Sequence, residues 1–149
     1  MPLPFSLSGR VTLAASSDPA IAIARIVEAL KAARANEIRQ MGQSITFRAG
    51  LFRLVTSMNP LVAIDWGELT VRPTGSRVAI DYKISFRQIF MVASLGVLGF
   101  LGPFVLLAPN LNAWQATLLL AFAWLWLFGG NVLITSVWFP RWLRRAGGT

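Results

Sequence analysis

Cysteine and histidine are both absent from this 149-residue chain. Their absence removes disulfides, thiolate nucleophiles, zinc fingers, imidazole bases and the usual axial ligands for haem or chlorophyll. Lysine is nearly absent too. Only Lys31 and Lys83 could serve a serine nucleophile as base, one on the wet side of a helical pattern and the other on the polar face of a strand pattern. Asp65 and Glu68, in "AIDWGEL", are the one close acidic pair. Two carboxylates share acid and base roles when their surroundings separate their pKa values, but here the pair flanks a turn at Gly67. No phosphate loop or dinucleotide fingerprint occurs, and the spaced glycines lie in an apolar run. The residues therefore point away from an enzyme and imply no cofactor or metal.

Charge is the next thing missing, and its absence is local. Residues 1–87 hold 11 Lys or Arg and all six Asp or Glu, residues 88–140 hold none, and Arg141, Arg144 and Arg145 follow. An uncharged run of 53 residues in a chain that is 55% hydrophobic reads as membrane-embedded. The division predicts an α+β domain over 1–87 and a transmembrane hairpin over 88–149, with spans near 89–109 and 114–139 and a short basic tail. The first span has the roughly 20 residues that a hydrocarbon core about 30 Å thick requires. Its Leu, Ile, Phe and Val contribute on the order of −4 to −7 kcal/mol to insertion before the opposing Gly and Pro terms.

"APNLN" separates the spans as a short uncharged turn. Lys83 and Arg87 precede the first span and three arginines follow the second, so the positive-inside rule places both termini in the cytoplasm. Trp114 falls at the outer interface, while Trp138 and Trp142 join Arg141, Arg144 and Arg145 at the inner one. The start, "MPLPFSLSGRVTL", lacks the basic and continuously apolar regions of a signal peptide.

Within the spans, Gly96, Gly99 and Gly102 recur every third residue and suggest a smooth patch level with "AFAWLWLF", where Trp124 or Trp126 could fill it. Such a patch serves packing inside the hairpin, or else contact with another membrane subunit or a lipophilic ligand. Gly129 and Gly130 add small residues to the second span. Asn131 is its strongly polar side chain and needs a partner in lipid, within the hairpin or on another subunit. Pro103 should kink the first span, because it lacks a backbone donor and clashes with the carbonyl of Gly99.

In the first 87 residues, "FSLSGRVTLAAS" alternates as a half-buried strand with Gly9 as a bulge. Asp18 and Pro19 open a helix whose Ile23, Ile26, Val27 and Leu30 form one stripe. "QSITFRAG", "GELTVRP" and "RVAIDYKISFR" read as three more strands, and residues 51–66 as an irregular connection. The fold expected is a mainly antiparallel four-stranded sheet with one packed helix. Arg10, Arg48 and Arg72 belong to its uncovered face, where anionic lipid or a peptide could bind. Nucleic acid is not indicated, since the tryptophans lie in or beside the spans rather than among these charges.

The pattern resembles a group of small bacterial membrane proteins in which an α+β domain passes through a "Y-x-I-S-F-R" strand into a two-helix hairpin. Here the matching residues are Tyr82, Ile84, Ser85, Phe86, Arg87, Asn131, Phe139 and Arg141. That resemblance implies an architecture and no activity. The function expected is a non-catalytic accessory or scaffold subunit of a larger complex in a bacterial inner membrane, with energy-transducing complexes among its possible hosts. Its partners would be membrane lipids and other integral subunits.

Overall fold

The computed structural model describes residues 5–13, 18–49, 61–75 and 77–148. Five strands, β1 (Ser6–Thr12), β2 (Asn36–Met41), β3 (Ser44–Arg48), β4 (Trp66–Thr74) and β5 (Arg77–Ser85), form one antiparallel sheet in the order β1-β5-β4-β3-β2. Helix α1 (Pro19–Ala32) links the two edge strands. Two long apolar helices follow, α2 (Arg87–Val105) and α3 (Ala113–Gly148), antiparallel across a short turn.

Local chemistry accounts for most of these elements. The Asp18 carboxylate caps α1 by accepting from the Ala20 amide at 3.0 Å, with Pro19 in the first turn. Ala22, Ile23, Ile26 and Leu30 are buried on the sheet, and each large one contributes about 1.5–3 kcal/mol by leaving water. Asn112 and Gln115 form a reciprocal capping box at the start of α3, at 2.9 and 3.1 Å.

The sheet has one strand more than the four expected. The additional strand is β2, "NEIRQM", in which only Ile38 is even partly buried. An edge strand with so little buried surface shows no apolar alternation. Its hairpin to β3 turns through Gly42 at φ 58°, a conformation that favours glycine. Gly9 is also not a bulge. The β1–β5 register is unbroken from Ser6 to Thr12, and the absent side chain leaves room for the Tyr82 ring, which a Cβ there would enter. Gly67 on β4 receives Phe47 in the same way. Of the connection expected to be irregular, residues 51–60 lie outside the described ones, while Leu61, Ala63 and Ile64 join the core.

The larger correction concerns what covers the sheet. One packed helix was expected, but α3 runs on past its apolar half, and its last turns lie beside α1 on the same face. Phe139 and Leu143 are fully buried, and a Cβ on Gly147 would sit 2.8 Å from Leu13 Cδ1 and 3.5 Å from Ile80 Cδ1. These three residues are four apart and make one stripe among Arg141, Arg144 and Arg145. Residues expected as a short basic tail are thus helical through Gly148 and complete the domain's core.

Candidate functional site

Two regions qualify as sites: the junction between sheet and hairpin together with the hairpin's outer surface, and the face of the sheet that no helix covers among the described residues.

At the junction, β5 reaches α2 through Phe86 alone, whose ring is buried in the core and whose amide donates to the Phe5 carbonyl at 2.8 Å. Phe5 stacks on Phe90 of α2, with centroids 4.2 Å apart, and meets Phe128 of α3 edge-on at 6.3 Å. Phe90 also contacts Phe128 and Trp124 edge-on, at 5.4 and 5.8 Å. Aromatic pairs of this kind add about 0.5–1.5 kcal/mol each beyond area burial. The cluster ties the first residues of the sheet to both long helices. One turn farther along, the Trp124 indole N–H donates to the Ser94 hydroxyl at 3.0 Å, a hydrogen bond directly between α2 and α3.

The glycines do not form the expected continuous patch. Residues Gly96–Leu101 are wound as a π-helix, as are Leu125–Gly129 in α3. The wider turn moves residues three apart off a common line. Gly102 is buried, whereas Gly96 and Gly99 are exposed and a Cβ on either would meet nothing within 4 Å. Open space also surrounds Gly129 and Gly130. Trp124 fills none of this space because it is committed to Ser94 and Phe90, and Trp126 is 72% exposed. The π-turn in α2 ends at Gly102, whose amide bonds to the Val97 carbonyl five residues back, immediately before Pro103. Asn131 finds its partner on its own helix, donating from Nδ2 to the Leu127 carbonyl at 2.6 Å.

The residues expected at the membrane interface divide between two environments. Trp114 is exposed in the first turn of α3, Arg87 is exposed at the start of α2, and Lys83 is exposed on the sheet. Trp138, Arg141, Arg144 and Arg145 are exposed along α3. Trp142 packs against the core and stacks on Phe139 at 5.8 Å. Phe139 in turn meets the Tyr82 ring edge-on at 5.4 Å. Burial raises the pKa of the Tyr82 hydroxyl, and the nearby Arg144 guanidinium opposes that shift.

On the uncovered face, a shallow groove of about 590 Å³ runs over β1, β5 and β4, lined by Ser8, Arg10, Glu68, Thr70, Asp81 and Lys83 among others. Its charges are mixed. Arg10 and Arg72 both pair with Asp81, and Arg48 lies 3.4 Å from Glu37. The hydrogen bond from Arg10, more than its charge, holds the Asp81 carboxyl below its usual range. Asp65 and Glu68 have different neighbours. Asp65 accepts from the Trp66 amide at 2.8 Å, while Glu68 stands in register with Thr46 and Lys83.

Sequence reasoning missed Phe5, Phe90, Phe128 and Ser94. The clue was the aromatic content at the start of the first span and in the middle of the second, which reads equally well as lipid-facing. No protein-family model, curated protein or solved structure matches the chain.

Proposed function

We propose that this chain is a membrane-anchored, non-catalytic accessory subunit, in which the hairpin packs among the helices of a larger membrane assembly and the sheet domain stands rigidly on one side. The observation that carries this reading is that α3 is at once the second apolar helix of the hairpin and a core helix of the sheet domain. Displacement of the hairpin by a neighbour therefore moves the domain with it. The hairpin's composition supports the membrane part. Eighteen of the 20 exposed large hydrophobic side chains among the described residues lie between Met91 and Trp138, and both apolar windows are largely unburied. Such a surface exceeds what soluble monomers expose. Open space at Gly96 and Gly99 supports close approach by another helix.

A lipid- or peptide-binding role for the sheet face has less support, because Arg10, Arg48 and Arg72 each already have an acidic neighbour. Purification of the tagged chain in mild detergent tests the proposal. Co-purification of integral membrane proteins in fixed ratio is expected. A lone monomer under all mild conditions overturns the accessory role, and release from membranes by alkaline carbonate overturns the anchor.

A further inference from the structure

The exposed apolar surface of the hairpin is lopsided. Measured from the midpoint of the turn between Val105 and Ala113, Arg87 is level with about residue 131 of α3 at equal rise per residue. Yet large apolar side chains remain exposed beyond that level: Leu133 at 67%, Ile134 at 60%, Val137 at 42% and Trp138 at 45%. At 1.5 Å per residue they lie about 3 to 10 Å past the polar end of α2. The opposite side of the same turns is occupied, since Thr135 and Phe139 are buried. The outer side is ordered in composition. Ile134, then Val137 and Trp138, then Arg141 lie along one stripe, passing from aliphatic to indole to guanidinium, with Arg145 one turn farther.

We propose that this outer stripe of α3 is a membrane-docking face. Ile134, Val137 and Trp138 enter the boundary between headgroups and acyl chains in the leaflet on the domain's side, and Arg141 ends among its phosphates. The hairpin accordingly crosses the bilayer leaning toward α3, with the α3 side of the sheet domain resting on lipid. Two observations select lipid as the occupant. The stripe is continuous with the apolar surface of the hairpin, and its order matches the polarity profile from acyl chain to water. The proposal rests on the reading of the hairpin as membrane-spanning.

The native chain has no cysteine, so single-cysteine variants of the full protein report one site each. Leu98→Cys, Ile134→Cys, Val137→Cys and Arg25→Cys would each be spin-labelled and reconstituted into vesicles of phosphatidylcholine and phosphatidylglycerol. Collision rates with oxygen and with a water-soluble nickel chelate would then be compared. The expected result is a several-fold preference for oxygen at Leu98, Ile134 and Val137, smaller at Val137 than at Ile134, and the reverse preference at Arg25. A water-like pattern at Ile134 and Val137 with Leu98 still in lipid overturns the docking face alone. Protection of those two sites from both reagents overturns it in favour of a second copy of the chain seated on the stripe. A water-like pattern at Leu98 overturns the membrane reading itself.

Discussion

Replacing Phe139 by alanine should loosen the sheet domain even though Phe139 belongs to the second apolar helix. Its side chain is fully buried, meets Tyr82 edge-on at 5.4 Å and stacks on Trp142 at 5.8 Å. A buried aromatic ring removes roughly 150–250 Å² from water, and Phe→Ala core substitutions cost about 3–5 kcal/mol once the residual cavity is included. At 1.4 kcal/mol per factor of ten, that corresponds to about two to three and a half orders of magnitude in the opening equilibrium. Hydrogen exchange of the detergent-solubilised full chain, read by mass spectrometry on peptides from β1 and β5, measures it directly. Globally exchanging amides of those strands should speed up by that factor, while amides of α2 near Gly102 should change little. Unchanged exchange in β1 and β5 would refute the placement of α3 in the domain core.

Gly9→Ala should destabilise the domain by about 1–3 kcal/mol as Tyr82 is forced aside, lowering its thermal midpoint, whereas Gly148→Ala, which meets no neighbour, should not. Trp124→Phe removes the donor to Ser94 and should weaken the hairpin by about 0.6–2 kcal/mol in an SDS titration, with Trp126→Phe as a silent control. Because the Asp81 carboxyl is held below its ordinary value, its contribution to stability is complete above the ordinary carboxylate range and disappears as pH falls through the lowered value. The acid-unfolding curve of Asp81→Asn should therefore be flatter there than that of the native chain. The difference should shrink in high salt, since the pair is exposed.

Local signals carried much of this fold. Asp18 and Pro19 announced α1, the strict alternation from Val78 to Phe86 announced β5, and the absence of charge marked the start of both apolar helices and the end of the first within a few residues. What stayed hidden depended on tertiary neighbours. Strand β2 buries almost nothing and so carries no periodic signature. Gly9 looked like an irregularity in β1, because nothing local shows that the Tyr82 ring from the neighbouring strand occupies the missing side chain's place. Phe139, Leu143 and Gly147 do form a helical stripe, but Pro140 and three arginines interrupt it and made the segment look like the end of a span. Spacing also misled at Gly96, Gly99 and Gly102, since three-residue recurrence aligns side chains in an α-helix but not through the π-turn that this segment adopts.

One uninterrupted helix is both the second leg of the hairpin and part of the domain core. A pulsed dipolar measurement between spin labels at Trp126 and Gly148, both exposed, tests it in the reconstituted protein. A continuous helix of 22 steps predicts a narrow distribution centred at about 33 Å at 1.5 Å per residue. A broad distribution, or one centred well below that distance, would contradict the account.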